Sequence, residues 1–318
     1  MIYNNSPLVS ICCLCYNHEP YIRDCLDGFM MQKANFTFEV LIHDDASTDK
    51  SAEIIREYEL IYPDVIKPIY QTENQYSKGI GVSKTHQFPR AQGKYIAMCE
   101  GDDYWTDPYK LQKQVDFLEA NEDYSMSFSN ASVYNETEKK IMFNQPGVTE
   151  NRTYTINDFL ISNPCPTASV LFKKEYISSL PEWFSKSPFG DYTLYLIILS
   201  RSGKNAFYFN ETMCVYRIHS GGVHGNAHLS NKGMIKAYKQ HLFFWKVIKK
   251  YLFVNQYHSE INRTVTEDYK LIIDYSINDK NIWEALKYNT LLMFESKFKY
   301  LKYNTITYFR ILKNLLKK

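Results

Sequence analysis

The sequence predicts an α/β protein: a doubly wound, mostly parallel sheet followed by an α-helical C-terminal extension. Three observations predict it. Short apolar runs alternate with amphipathic helical spacing through the first 120 residues or so, with short connections between them. Each of the clearest runs ends in polar, chemistry-bearing residues, as strands do at the ligand-binding edge of an open sheet. From about Lys232 to the end the pattern is helical throughout.

Leu8–Cys15 reads as a buried strand ending at Tyr16-Asn17-His18, and Glu19–Met31 carries Tyr21, Ile22, Cys25, Leu26 and Phe29 on one helical face. Phe36–Ile42 is the second strand, running into His43-Asp44-Asp45-Ala46-Ser47-Thr48-Asp49. Thr48 or Asp49 caps a helix reaching about Tyr62. Val65–Tyr70 is a third strand, and Gly79–Gln92 a loop and helix carrying Lys84 and Arg90, just after Lys78.

The next stretch organises the chain. Tyr95-Ile96-Ala97-Met98-Cys99 has strand character and stops in Glu100-Gly101-Asp102-Asp103-Tyr104-Trp105. Three crowded carboxylates repel one another unless a cation offsets them. Oxygen-only ligands suit a hard ion, Mg²⁺ or Mn²⁺. An acidic loop that merely caps the next helix is the plainer alternative, and Asp107 before Pro108 fits that duty for the helix to about Ala120.

Beyond Tyr124 the alternation weakens. Met126–Tyr134 reads as a strand, Asn135–Asn151 as a polar excursion, and Thr167–Phe172 as a strand after Pro164-Cys165-Pro166. Phe189-Gly190-Asp191-Tyr192 starts the apolar helix Thr193–Leu199. Asn205–Tyr216 is a last strand leading into Arg217-Ile218-His219-Ser220-Gly221-Gly222-Val223-His224. The expected domains are 1–225 and a helical extension, 226–318.

Composition narrows the classes. A net charge of +2 over 318 residues does not suggest nucleic-acid binding. Seven cysteines, an odd number with three in one strand-like run, argue for buried thiols in a reducing compartment instead of a disulfide framework. No run approaches the roughly 20 apolar residues needed to cross a bilayer. Met1–Ser10 has no secretory pattern, so a cytoplasmic location is expected. The turn Tyr16–Pro20 lacks the glycines of a dinucleotide fingerprint, and no phosphate-cradling Gly-Lys-Ser/Thr loop occurs.

Val9-Ser10-Ile11 through Tyr16-Asn17, the Asp44–Asp49 turn, Glu100–Trp105, the Gly190-Asp191 helix start and Tyr216–His219 together resemble the family 2 glycosyltransferases. The resemblance covers roughly Pro7–Gly222 and implies the GT-A fold and inverting, metal-dependent transfer from a nucleotide-sugar donor. A UDP-sugar is the expected donor, and a glycan or lipid-linked hydroxyl in surface polysaccharide synthesis the expected acceptor. It also implies roles residue by residue. Asp103 is the best metal ligand, with Asp102 on the ribose or sharing the metal, and Glu100 holds the first position of the acidic motif. Asp191 matches the general base. Tyr16 lies against the nucleotide base, Asp45 meets the base edge or ribose, and Asp44 supports it. Lys84 is an expected phosphate contact, with Lys78 and Arg90 as alternatives. Arg217 and His219 belong to a segment closing over the diphosphate, with His219 a third metal ligand and His224 a weaker one. Trp105 lines the sugar or acceptor pocket. Two rivals differ in kind: a non-catalytic carbohydrate- or partner-binding module on the same fold, and a sugar-1-phosphate nucleotidyltransferase.

Lys297–Lys318 carries seven Lys or Arg and no acid, interleaved with apolar residues. A basic amphipathic helix of this kind suits either the anionic inner face of the cytoplasmic membrane or a packed terminal position with a solvated basic side. Oligomeric state is not legible.

Overall fold

The computed structural model describes residues 6–222, 230–253 and 256–315. Packing divides the chain into two units. The first runs through Ser185 and resumes over Gly190–Arg217; the second holds Lys186–Phe189 and the chain from Ile218 onward.

The first unit is a ten-stranded mixed sheet with helices, and the α/β class is borne out. Its elements are β1 (Val9–Cys15), α1 (Ile22–Met30), β2 (Phe38–Asp44), α2 (Ser51–Ile61), β3 (Ile69–Tyr70), β4 (Tyr95–Met98), β5 (Tyr104–Trp105) and α3 (Lys110–Ala120). They are followed by β6 (Tyr124–Asn135), β7 (Lys140–Gln145), β8 (Arg152–Tyr154), α4 (Ile156–Ile161), β9 (Leu171–Lys173), α5 (Gly190–Ser202) and β10 (Asn205–Ile218). Strand order is β3-β2-β1-β4-β9-β6-β10-β5, with β7 on β6 and β8 on β10. The four strands β1 to β4 pair in parallel; β9, β6, β10 and β5 join antiparallel.

The parallel strands are near-continuous apolar runs because both faces are covered. Val9, Ile11, Cys13, Val40, Ile42, Tyr95 and Ala97 are fully buried, with Ile22, Leu26 and Phe29 of α1 packed into the same core. Ser10 is the polar exception: its hydroxyl donates to Glu39 Oε1 at 2.6 Å and accepts the Gly93 N–H at 2.9 Å, so the buried pair is satisfied.

Four boundaries differ from the sequence reading. The strand expected over Thr167–Phe172 is only Leu171–Lys173, because Thr167–Ser169 makes a 3-10 turn after Pro166. The expected third strand shrinks to Ile69–Tyr70 with one bridge between Val40 and Ile66, because Pro68 has no N–H for the ladder. The Gly79–Gln92 helix is a single π-helical turn, Ser83–Gln87. The polar excursion contains β7, a strand exposed on both faces and so without the alternation that marks strands.

The second unit holds α6 (Asn231–Tyr251), α7 (His258–Asn278), α8 (Ile282–Glu295) and α9 (Leu301–Leu315). Ser230 caps α6 through the Gly233 N–H at 3.0 Å, and Asn281 caps α8 through Glu284 N–H at 3.2 Å. Ile273, Ile277, Ile282, Ala285, Leu292 and Ile311 form its small core. Beside them Asn289 and Asn304 exchange side-chain bonds: Asn289 Nδ2 donates to Asn304 O at 3.1 Å, and Asn304 Nδ2 to Asn289 O at 2.8 Å. No described helix is long and apolar enough to cross a membrane.

Candidate active site

Register sets the site. Cys15 lies opposite Asp44, and Cys12 opposite Met98, so β1, β2 and β4 all deliver their C-terminal ends to one edge. The acidic turn continues alongside β1, with Cys99 N–H on Cys12 O at 3.2 Å and Gly101 N–H on Leu14 O at 2.8 Å. A Cβ on Gly101 would stand 2.9 Å from His18 Nδ1 and 3.1 Å from Leu14 O, so only glycine lets the turn lie this close.

The β1–α1 and β2–α2 turns knit together. Asn17 and Ala46 both take left-handed backbone, with φ of 55° and 63°. Asn17 Oδ1 accepts the Thr48 N–H at 2.8 Å, Ser47 Oγ accepts the Asn17 N–H at 2.9 Å, and Asp49 Oδ2 accepts the Glu19 N–H at 2.9 Å. Tyr16 stands at this edge 45% exposed, its ring open to a ligand.

Asp44 is buried, accepts the Ser47 N–H at 3.3 Å, and burial raises its pKa. Asp45 is also buried, but its oxygens are spoken for. Oδ1 accepts Gln75 N–H at 2.8 Å and Oδ2 accepts Tyr76 N–H at 3.0 Å, while His43 Nε2 lies 3.4 Å away. Asp45 therefore anchors the 74–76 segment. Sequence reasoning missed that segment, since Asn74-Gln75-Tyr76 carries no motif; an exposed Tyr76 beside two strand-end acids is the only signal.

The three acids share one field. Asp103 is 2% exposed; its pKa is pushed well up by burial first, then by Asp102. The Arg217 backbone N–H opposes this shift, donating to Asp103 Oδ1 at 2.8 Å. Glu100 is exposed at the turn, with protein packed around it on its other sides. Its pKa is pushed up to about 8 by that crowding, then by Asp102 and then by Asp191. Asp102 Oδ2 lies 3.7 Å from His18 Nε2. Asp191, the second residue of α5, accepts the Thr167 hydroxyl at 2.9 Å. Glu100, Asp102, Asp103 and Asp191, from two strand-end and helix-start positions far apart in sequence, thus bear on one locus. Thr167 lies in the Pro164–Ser169 stretch, which with Asp191 is expected to flank the acceptor subsite, and its hydroxyl bond to Asp191 puts the two side by side.

Arg217 arrives on β10, which pairs with β5 so that Val215 faces Tyr104. Its guanidinium donates to Asp102 O at 3.0 Å, meets Glu136 Oε1 at 2.9 Å and pairs with Asp24, lying over the Tyr104 ring at 4.3 Å. Lys84 Nζ donates to Pro181 O at 2.8 Å, Arg90 donates to Lys67 O at 3.2 Å, and Lys78 pairs with Glu73. All three cations are engaged by the chain itself.

Trp105 departs from the pocket-lining expectation. It is 2% exposed, packs edge-on against Phe29 at 4.8 Å and donates its indole N–H to Ala168 O at 2.7 Å. Lys110 lies over its other aspect at 4.3 Å, so the ring is core. His219 is buried and belongs to the second unit; His224 lies outside the described residues. All seven cysteines are free and buried.

Among the described residues no three His, Cys, Asp or Glu side chains stand as a ready metal cage. The donor set still fits a hard divalent ion. Magnesium-like ions are commonly held by one or two carboxylates, with substrate phosphates and water completing the shell. The two adjacent acids Asp102 and Asp103 provide that, and burial, then Asp102, disfavours the ionised form of both Asp103 and Glu100 when no cation is bound.

The family model described as glycosyl transferase family 2 matches residues 10–177. An uncharacterised protein of Mycobacterium bovis is 35% identical over 232 residues, 70% of this chain and 62% of that protein. The chain therefore spans less than two thirds of that relative's length. The Escherichia coli protein WfaP, a UDP-Glc:α-D-GlcNAc-diphosphoundecaprenol β-1,3-glucosyltransferase, is 28% identical over 69% of this chain and 80% of its own. Among solved structures, Staphylococcus aureus TarS 1–349 in complex with UDP-GlcNAc has a TM-score of 0.56 at 14% identity, covering 94% of this chain and 90% of TarS. The mannosyltransferase PcManGT of Pyrobaculum calidifontis, in complex with GDP-Man and Mn²⁺, has a TM-score of 0.54 at 17% identity over 98% and 88% of the two chains. At these identities the structural likeness speaks for the fold.

Proposed function

The chain belongs to glycosyl transferase family 2, and from that premise we propose that it is an inverting, metal-dependent glycosyltransferase of surface-glycan synthesis. Its donor is a nucleotide-diphosphate sugar, with UDP favoured because the relative WfaP is named for a UDP-sugar. The acceptor is a hydroxyl of a glycan or lipid-linked saccharide. Residues 1–225 form the transferase domain and 226–318 the extension. One observation carries the reading: Glu100, Asp102, Asp103 and Asp191 bear on one locus at the carboxyl edge of the parallel strands.

Asp102 and Asp103 hold the divalent ion, Mn²⁺ or Mg²⁺. When bound, that ion supplies Lewis-acid stabilisation of the departing diphosphate. Asp191 takes the proton of the attacking acceptor hydroxyl, and the α5 start mounts it rigidly while the Thr167 bond aims it. Glu100 faces the transferred sugar. Tyr16 stacks on the nucleotide base, and Asp44 and Asp45 support it by fixing the surrounding turns and the 74–76 segment. Arg217 orders the acidic turn through the Asp102 carbonyl and reaches the diphosphate from there. Lys84 would meet a phosphate only after releasing Pro181 O.

Release of nucleoside diphosphate from a set of sugar nucleotides, measured with Mn²⁺, with Mg²⁺ and after chelation, tests the reading. The expected result is turnover with one donor class that chelation abolishes and Asp191→Asn suppresses. Undiminished turnover in Asp102→Asn/Asp103→Asn, or consumption only of a nucleoside triphosphate with a sugar phosphate, overturns it.

A further inference from the structure

The second unit exposes apolar surface where water-soluble helices carry polar residues. On α8, Trp283 is 84% exposed and Phe294 60%; on α9, Phe309 is 68% and Leu312 49%. Trp283, Lys287, Leu291 and Phe294 recur every three or four residues, on the face opposite the buried Ala285, Asn289 and Leu292. The stripe is apolar but for Lys287, which separates Trp283 from Leu291 and Phe294.

The turn joining the two helices has its own shape. Lys297 and Phe298 adopt consecutive left-handed conformations, φ 49° and 65°, which L side chains take only against steric resistance. The result projects Phe298, 51% exposed and edge-on to Phe294 at 5.8 Å, between the exposed Lys297 and Lys299. Lys302 follows, also exposed. From Lys297 to the end the chain has seven cations and no acid.

We infer that the α8–α9 hairpin is a membrane-surface anchor, laying Phe294, Phe298 and Trp283 into the headgroup boundary of an anionic bilayer. Exposed apolar side chains interspersed with Lys287, Lys297, Lys299 and Lys302, against Glu295 and a Glu284 already paired with Lys239, match both parts of such a surface, the acyl edge and the negative headgroups. A second copy of the chain matches only the first, since its own segment from Lys297 on carries no acid to meet these lysines. A spanning role is set aside because no described helix can cross. The inference does not rest on the transferase reading, and its test uses no donor.

Full-length protein is floated with phosphatidylcholine vesicles, with and without phosphatidylglycerol. Binding to the anionic vesicles, a blue shift of tryptophan emission that Trp283→Phe removes, and release by high salt are expected. Phe294→Ser/Phe298→Ser should weaken partitioning by about tenfold or more, from the apolar area withdrawn. Each of Lys297→Gln, Lys299→Gln and Lys302→Gln should weaken it by about fivefold. Helical circular dichroism and melting, read in parallel, confirm that these exposed positions leave the fold intact. No binding by the parent protein overturns the inference. So does binding that ignores the phenylalanines, or self-association in solution that the same double variant abolishes.

Discussion

The two units break opposite rules. The sheet unit buries charge: Asp103 at 2% exposure, Asp44 alike, and Glu100 crowded by Asp102 and Asp191. The helical unit exposes hydrocarbon: Trp283 at 84% and Phe309 at 68%. Each departure costs stability in the isolated chain, and on the readings proposed above each would be relieved by a partner of the missing kind, a cation with phosphates in one case and lipid in the other. Misplaced chemistry therefore reports on what is bound, and its sign reports on the class of ligand.

Substitutions can break or sharpen that contrast. Asp191→Asn should cut kcat by about 10²–10⁴-fold, the usual worth of a positioned general base, while the melting temperature stays put. Asp103→Asn should also abolish most transfer, yet leave the melting temperature unchanged or higher, because burial and then Asp102 already disfavour the ionised carboxylate that asparagine replaces. A fall in both would show Asp103 to be a structural partner of Arg217 instead. Asn304→Ala should lower stability by about 1–3 kcal/mol, since it strands the buried Asn289 amide.

Two buried groups, one in each unit, should give pH slopes of opposite sign. Burial lowers Lys110 to about 8, so its folded form resists protonation. Its contribution is full above the ordinary lysine range and lost as pH falls through about 8. Burial, then Glu267, raises Asp268 to about 7, so its contribution is full below the ordinary carboxylate range and lost as pH rises through about 7. Melting curves of Lys110→Met and Asp268→Asn against the parent protein would flatten these two slopes separately. Smallest of all, Trp283→Ser should shift stability by no more than about 0.5 kcal/mol in the absence of vesicles. A larger loss would mean that its ring packs on the protein.

Much of this was legible in the sequence, where local pattern and tertiary environment agree. β1, β2 and β4 are buried on both faces, so their apolar runs announce them, and Asp102, Asp103 and Asp191 fall at element ends. Legibility failed where a distant partner decides. β8 is held by pairing with β10 some fifty residues on, and nothing local marks Arg152–Tyr154 as a strand. Trp105 reads as a pocket wall from its neighbours, but the Ala168 carbonyl, 63 residues away, draws it into the core. Asp45 reads as a ligand contact, whereas its oxygens hold the main chain of Gln75 and Tyr76.

The pairing of β5 with β10 has a consequence for synthesis. Glu100, Asp102 and Asp103 leave the ribosome long before Asp191 and Arg217, and the latter sits 114 residues after Asp103, whose carboxylate takes its N–H. A nascent chain stopped near residue 177, where the family match ends, holds the acids with neither Asp191 nor β10. On the proposed reading the site is complete only when its last strand emerges.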